Sequence, residues 1–246
     1  FNVFEIINYF KIKEKKIFNK IIFFTYKGND LTVESADRFL ENKYGKNDYT
    51  FGIIGSGNIG SKLALKLSER GKKVYIYRRN QKKLRIITKA LNLIRCRYFK
   101  KNISLSTTIL EVIKKSDILI SCSSSNKFII TKQVIKNSRN LKFILDVGKQ
   151  SISYDGISFA YENQIEILRL DISMSLISMI ESYIKYDSDI TKRIGRKKIN
   201  KNFIVSGGYV GMNNDLIVDN INNVKKIYGI ADGSGGFKKR FGNISL

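Results

Sequence analysis

From residue 50 to residue 147, short apolar runs alternate with longer segments whose apolar residues recur at helical spacing. The runs DILIS and KFILDV are continuously apolar, which is typical of strands covered on both faces of a parallel sheet. Strands that alternate with helices in this way predict βαβ units and an α/β fold with a doubly wound parallel sheet. The predicted strands are 50–54, 73–77, 103–105, 117–122 and 142–147, and the predicted helices are 59–70, 81–93, 108–115 and 131–136.

Outside that region the alternation is less regular, and the elements are predicted from single runs and turn residues. They are a buried strand over 21–26, a turn at 28–30, a helix over 33–44 capped by Thr32, an amphipathic helix over 174–186, a basic connector over 192–201, and short strands over 203–205 and 216–218 in a glycine-rich tail.

Composition and charge limit the partners and the catalytic groups that the chain can have. The chain has 45 Lys and Arg against 21 Asp and Glu, a net charge of +24, but the basic residues are spread along its whole length. This dispersal, with a richness in Lys, Ile and Asn typical of AT-rich coding sequence, favours compositional bias over a specific nucleic-acid partner. The chain has no histidine, which excludes a Ser-His-Asp triad and a His-ligated metal. No apolar run reaches the length of a membrane span, so we expect no membrane partner. The two cysteines, Cys96 and Cys122, are too few for a disulfide framework and fit the reduced cytoplasm, where we expect the protein.

A GxGxxG motif stands between the first predicted strand and the first predicted helix of the alternating region. It consists of Gly55, Ser56, Gly57, Asn58, Ile59 and Gly60. In that context the motif predicts a Rossmann-type dinucleotide-binding fold, because Gly55 allows a tight turn and Gly57 lets the backbone approach a pyrophosphate. Gly60 lets the helix pack against the strand, and the helix N-terminus offers free N–H groups to the phosphates.

The end of the second predicted strand indicates which dinucleotide binds. An acidic residue there would hold the ribose 2′-hydroxyl of NAD, but this chain has Arg78 and Arg79, with Lys82 and Lys83 one turn later. A guanidinium can bind a 2′-phosphate through paired hydrogen bonds. We therefore expect NADP as the cofactor, bound in part by Arg78, Arg79 and Lys83.

The segment Tyr77–Lys83 resembles the N-R-T-x-x-K/R motif of shikimate dehydrogenases and glutamyl-tRNA reductases. The resemblance implies that Arg79 and Lys83 face the adenosine 2′-phosphate. Arg78 and Asn80 stand where those families have Asn and Thr. The resemblance covers about residues 33–150 and does not reach the catalytic parts of either family.

Two further segments extend the resemblance. Asp117–Ser125 is similar to the fourth strand of those families and to the loop that passes the nicotinamide ribose, which implies contacts from Ser123 and Ser124. Phe143–Gly148 is similar to the next strand, whose loop approaches the nicotinamide at Gly148.

Three regions are expected from these patterns. Residues 1–48 are an N-terminal segment, read as part of a substrate or dimerisation region in a trimmed chain. Residues 49–150 are the NADP-binding domain, and residues 151–246 are a C-terminal helix with a glycine-rich strand region. The two terminal segments are expected to add a small α+β region to the sheet.

Catalytic residues are not marked by any motif. Lys149 is a candidate because it follows Gly148 at the carboxyl edge of the sheet, where ligands bind, although a surface role is favoured. Asp146 is a second candidate, and Cys122 is expected to be a small core residue. The glycines at 207–211 and 229–236, the latter with Asp232 as a site candidate, form either turns or an anion-binding loop.

These observations predict an NADP-dependent oxidoreductase, a dehydrogenase or reductase that acts on a small metabolite. A non-catalytic or decayed NADP-binding regulatory protein is the alternative, and a homodimer is left open. No metal site is expected.

Overall fold

The computed structural model describes residues 26–96, 98, 101–123, 127–186 and 190–245. The chain divides into two compact units, Phe1–Leu176 and Ile177–Leu246. The strand predicted over 21–26 lies outside the described residues, apart from Tyr26. No helix in the described ranges is both long and apolar enough to span a membrane.

The first unit alternates strands and helices along the chain. Its strands are β1 (Thr50–Ile54), β2 (Lys73–Tyr77), β3 (Ile103–Leu105), β4 (Ile118–Ser121), β5 (Phe143–Asp146) and β6 (Glu166–Arg169). Its helices are α1 (Gly28–Tyr44), α2 (Asn58–Glu69), α3 (Gln81–Ile94), α4 (Ile109–Lys115), α5 (Lys132–Ile135) and α6 (Tyr154–Glu162). The helix α7 (Ser173–Lys185) crosses the boundary between the two units.

The six strands form one parallel sheet in the order β3-β2-β1-β4-β5-β6, which confirms the predicted Rossmann-type α/β fold. β1 lies in the middle, where Phe51 pairs with Val74 of β2 on one side and with Ile118 of β4 on the other. The strand order reverses between β1 and β4, and in sheets of this kind ligands bind in the crevice at the carboxyl ends of those strands.

Helices cover both faces of this sheet, which explains why its strands are continuously apolar. On one face α1 packs against α2, and α2 contacts β1 and β2. On the other face α4 contacts β1 and β2, and α5 and α6 continue the layer, with α6 against β6. The first layer includes Ala36, Leu40, Phe51, Ile53, Leu63, Ala64 and Leu67, and the second includes Ile54, Val112, Ile113, Leu119, Ile135, Ile144 and Ala160.

The start of α1 differs from the prediction in two ways. The turn predicted at residues 28–30 is the first turn of this helix, which begins at Gly28. Thr32 is not a cap but lies inside the helix, where its hydroxyl donates to the carbonyl oxygen of Gly28 at 2.9 Å. Leu31 is already buried in the first turns of the helix, so its packing begins before residue 33.

The sheet continues past residue 150 through α6 and β6, neither of which was predicted. β6 is an edge strand with exposed Glu166 and Arg169 at its ends, so it lacks the apolar run of the central strands. α6 contains Gly156 and buries only that residue and Ala160, so its helical periodicity is weak.

The second unit contains a five-stranded sheet in the order β11-β10-β9-β8-β7, preceded by the short helix α8 (Thr191–Arg193). β8 and β9 pair in parallel and the other neighbours are antiparallel. This confirms a small additional region at the C-terminal end. Its strands are β7 (Gly195–Ile199), β8 (Asn202–Ser206), β9 (Leu216–Val218), β10 (Lys226–Ala231) and β11 (Phe237–Ser245).

The prediction of a basic connector over 192–201 is wrong, because most of this segment forms strand β7. Arg196 explains how a charged segment forms a strand here. Its guanidinium carbon lies 3.6 Å from the ring centre of Phe203, and its Nε donates to the buried carboxylate of Asp215 at 2.7 Å. Neighbouring strands therefore stabilise β7 where an apolar alternation is missing.

Candidate nucleotide-binding site

The glycine motif forms the loop between β1 and α2, and its glycines serve different purposes. Gly55 has a φ of +101°, and a Cβ there would lie 2.8 Å from the backbone of Cys122. A Cβ on Gly60 would lie 1.9 Å from the carbonyl oxygen of Gly55. By contrast, no atom lies within 4 Å of the position a Cβ would take on Gly57. The protein itself requires glycine at 55 and 60, whereas the space over Gly57 is open for a ligand.

The first turn of α2 adjoins that open space. Gly57 is the N-cap residue and makes no side-chain capping bond, so the N–H groups of Asn58 and Ile59 have no side chain to satisfy them. Such a helix start attracts anions through its N–H groups and its dipole.

Buried hydroxyl groups cluster at the same edge of the sheet. Within the described residues, the Oγ atoms of Ser56, Ser106 and Ser121 are buried without a hydrogen-bond partner. These serines follow β1, follow β3 and end β4, so all three lie at the carboxyl ends of parallel strands. Buried polar atoms normally have partners, so a bound ligand or ordered water is the expected complement.

A cluster of cations lies at the end of β2. Arg78 is half-buried, and its Nη1 donates to the carbonyl oxygen of Ser56 at 2.9 Å. Arg79, Lys82 and Lys83 are exposed and form no ion pair with the described residues. Free cations at this position can hold an anion, because no carboxylate neutralises them.

The start of α3 is fixed beside this cluster. The side chain of Asn80 caps the helix by accepting a bond from the N–H of Lys83 at 3.0 Å. Gln81 Nε2 donates to the carbonyl oxygens of Arg78 and Thr107, at 2.9 and 3.2 Å. The turn that carries the cations is therefore held to both β2 and the loop after β3.

The loops after β4 and β5 come into direct contact. A Cβ on Gly148 would lie 2.1 Å from the carbonyl oxygen of Ser123, so only glycine allows this approach. Gly148 N–H also donates to the carbonyl oxygen of Ser121 at 2.8 Å. The structure thus brings Ser123 and Gly148 into contact, while Ser124 lies outside the described residues.

Hydrogen bonds to Asp146 stabilise the turn after Gly148. Lys149 and Gln150 both have left-handed backbones, with φ of 62° and 51°, an arrangement that is unfavourable for residues other than glycine. The buried carboxylate of Asp146 accepts bonds from Ser151 Oγ at 2.8 Å and Arg169 Nη2 at 3.4 Å. These bonds hold the turn, and they leave the side chain of Lys149 exposed at the carboxyl edge.

The surroundings of Cys122 disfavour its reactive thiolate form. Burial raises the pKa of its thiol to about 12, and the negative charge of Asp146 adds to the effect. The thiol is therefore protonated near neutral pH, which agrees with the expected role as a core residue.

The glycine-rich tail is not an anion-binding loop at Asp232. The Oδ1 of Asp232 accepts bonds from the N–H groups of Ser234 and Gly236, at 2.7 and 2.9 Å. The N–H groups that would attract an anion are thus already bound to a carboxylate of the chain. Asp219 binds the N–H groups of Lys225 and Lys226 in the same way, in the turn between β9 and β10.

A cavity of about 430 Å³ lies near the opposite edge of the sheet, before β5 and β6. Lys136, Arg139, Lys142 and Phe159 are among the residues that line it. It is separate from the glycine loop and contains none of the predicted site residues.

Comparison with known proteins agrees with this geometry. Residues 38–149 match the model of the shikimate / quinate 5-dehydrogenase family, which confirms the resemblance over that part of the chain. No curated protein matches the sequence.

Several solved structures are similar to this chain at low identity. Δ1-Pyrroline-2-carboxylate reductase from Thermococcus litoralis, solved with NADH and L-proline, is 14% identical, with 64% of each chain covered and a TM-score of 0.47. D-mandelate dehydrogenase from Rhodotorula graminis is 13% identical, with 65% of this chain and 59% of that chain covered and a TM-score of 0.47. A dipicolinate synthase polypeptide from Bacillus halodurans is 13% identical, with 64% and 56% covered and a TM-score of 0.46. The chain thus spans less than two thirds of the length of each.

The family match and the glycine loop define the class. The first unit is an NAD(P)-binding Rossmann domain of the kind found in dehydrogenases and reductases. Over residues 38–149 its sequence is similar to that of the shikimate / quinate 5-dehydrogenase family.

Proposed function

We propose that this protein is an NADP-dependent oxidoreductase that acts on a small metabolite. The observation that carries the proposal is the set of cations at the end of β2, which form no ion pair within the described part of the chain and stand beside a glycine loop with open space over Gly57. A carboxylate at that position would repel a 2′-phosphate, whereas Arg79 and Lys83 attract it.

The chain offers contacts for three parts of the nucleotide. The N-terminus of α2 and the backbone at Gly57 bind the pyrophosphate, and Arg79 and Lys83 bind the 2′-phosphate. The loops at Ser123 and Gly148 lie beside the nicotinamide ribose. When bound, the cofactor supplies the hydride chemistry, and the protein supplies orientation and charge.

Lys149 is the residue we propose to bind the substrate or to transfer a proton. It is exposed at the carboxyl edge and held by a braced left-handed turn, and the chain has no histidine for that role. Asp146 acts through this turn, because Ser151 and Arg169 already bind its carboxylate. We also propose a small-molecule substrate and a cytoplasmic location, with no specific nucleic-acid or membrane partner.

Replacing Arg79 tests the cofactor preference. We expect the unchanged protein to bind NADPH at least tenfold more tightly than NADH, and Arg79→Ala to remove much of that difference, because a charge-assisted hydrogen bond contributes about 1.5–3 kcal/mol. Titration of both nucleotides by intrinsic or nucleotide fluorescence measures the two Kd values. Lys89→Ala, at an exposed cation further along helix α3, is the matched control and should change neither value. Equal affinities in the unchanged protein would contradict the proposal.

A non-catalytic NADP-binding protein is the second candidate. It is favoured by the protonated thiol of Cys122 and the lack of histidine, which leave few groups able to transfer protons at the carboxyl edge. NADPH consumption against a panel of carbonyl metabolites separates the two. Tight NADPH binding without turnover on any of them favours this candidate, whereas turnover that Lys149→Ala abolishes favours the enzyme.

A further inference from the structure

We propose that Arg78 is a positioning residue that holds the glycine loop in its binding conformation, so that it strengthens the binding of NADP(H) and NAD(H) alike. Arg79 and Lys83 then set the preference between the two nucleotides. This inference rests on the proposed function of the same site, and it assigns Arg78 a role different from that of the neighbouring cations.

The loop is joined to β2 at two points. The N–H of Gly55 donates to the carbonyl oxygen of Tyr77 at 2.9 Å, and Arg78 Nη1 donates to the carbonyl oxygen of Ser56 at 2.9 Å. The first bond is made between backbones and is independent of the side chain. The second depends on a guanidinium that reaches across from the end of β2 to the loop.

Ser56 needs this bond more than an exposed residue would. The residue is fully buried, and its hydroxyl has no partner among the described residues. The carbonyl bond from Arg78 is therefore the polar contact that fixes the residue between Gly55 and Gly57. A buried carbonyl that loses its donor is destabilised, so without Arg78 the loop would favour other conformations.

The backbone of Arg78 is itself fixed, which lets its side chain act as a brace. Its carbonyl oxygen accepts a bond from Gln81 Nε2 at 2.9 Å, and Gln81 also binds Thr107 after β3. Arg79, by contrast, is exposed and forms no ion pair with the described residues. Arg78 thus binds the loop, while Arg79 remains available to an anion.

The two roles predict different effects on binding. If the loop is in its binding conformation for only part of the time, the apparent Kd rises by the inverse of that fraction for every ligand that uses the loop. NADPH and NADH share the pyrophosphate and differ at the 2′-phosphate. Loss of the brace therefore weakens both equally, whereas loss of a 2′-phosphate ligand weakens NADPH alone.

The experiment compares Arg78→Ala, Arg78→Lys and Arg79→Ala by titration with NADPH and with NADH, with Lys89→Ala as the matched control. We expect Arg78→Ala to raise both Kd values about tenfold and to leave their ratio within about twofold of the unchanged protein. Arg78→Lys should recover most of the affinity, because an ammonium group can also donate to the Ser56 carbonyl. Arg79→Ala should change the ratio instead.

Three results would distinguish a failure of this inference from a failure of the proposed function. A selective loss of NADPH affinity in Arg78→Ala would overturn the positioning role and make Arg78 a 2′-phosphate ligand. A fall in the thermal midpoint of the nucleotide-free protein, unrelieved by Arg78→Lys, would also overturn it, because the role would then be general stability. If Arg78→Ala does not fold, Arg78→Met keeps the side-chain stem and carries the same test. Failure of the unchanged protein to bind either nucleotide would instead reject the proposed function.

Discussion

At the scale of single residues, the glycine loop separates what the fold requires from what a ligand requires. Side chains at positions 55 and 60 would collide with the protein's own backbone, but a side chain on Gly57 would meet nothing within 4 Å. The φ of Gly57 is −84°, which residues other than glycine adopt without strain. The fold itself therefore does not require glycine at this position, and the proposed nucleotide supplies a reason for it.

Gly57→Val tests that explanation. We expect the variant to fold with unchanged stability and to lose measurable NADPH binding, because the new side chain fills the space that the pyrophosphate needs. Thermal unfolding and nucleotide titration measure the two properties. Gly60→Ala is the contrasting variant and should lower the stability, since its Cβ would lie 1.9 Å from the Gly55 carbonyl oxygen. Unchanged NADPH affinity in Gly57→Val would show that the loop is not the site.

At the scale of elements, apolar runs predicted the central strands closely because both of their faces are buried. β1 has the predicted bounds, and the fully buried strands β4 and β5 are each one residue shorter at both ends than predicted. The edge strand β6 and the charged strand β7 were not predictable in this way, since their stability comes from neighbours far away in the sequence. The cofactor loop could be predicted from local glycine spacing, whereas the brace from Arg78 to Ser56 joins residues that only the folded sheet brings together.

Ion pairs join α1 to α2, the helix that begins at the glycine loop. The carboxylate of Asp37 is buried and accepts bonds from Arg70 Nε and Lys66 Nζ, at 2.9 and 3.1 Å. Burial opposes ionisation of Asp37, but the hydrogen bonds from Arg70 and Lys66 outweigh it, and its pKa lies below the usual value. Asp30 and Glu34 add pairs with Lys62 and Lys66.

Asp37→Asn should lower the free energy of unfolding by about 1–3 kcal/mol at pH 7. This loss is smaller than the loss expected on breaking a fully buried ion pair, because Lys66 and Arg70 are partly exposed. A carboxyl group whose folded pKa is lowered stabilises the protein above its unfolded pKa of about 3.9, and this stabilisation is lost as the pH falls toward the folded value. Urea unfolding at several pH values should show a constant difference above pH ~5 that shrinks below pH ~4. Glu41→Gln, at an exposed partner of Arg70, is the control and should change stability by less than about 0.5 kcal/mol. A difference that grows in acid would contradict the assignment.

At the scale of the whole molecule, the net charge of +24 lies on both units and does not form one basic arm. Cations occur at the end of β2, along β7 and along β11, among other places, and several of those in the first unit pair with carboxylates. Dispersed charge of this kind attracts nucleic acid without selecting a sequence.

Binding to random duplex DNA should therefore appear at low salt and disappear near physiological salt, because released counterions drive it. Fluorescence anisotropy across a salt series measures this dependence. We expect a Kd weaker than about 10⁻⁵ M at physiological salt, and a value below about 10⁻⁷ M, tighter than typical non-specific binding, would revive a nucleic-acid function.

The central place of β1 in the sheet sets when the binding site can exist during folding. The N–H of Thr50 donates to the carboxylate of Asp117, which lies 67 residues later in the sequence. Cys122, whose backbone packs against Gly55, comes shortly after Asp117. Closing so long a loop is among the slower steps of folding for a parallel sheet. A growing chain that has completed only β1, β2 and β3 has the glycine motif but lacks the segment at Cys122 that packs against Gly55. Such a chain has only the first half of the proposed site, and the complete site exists only when the two distant halves of the sheet have met.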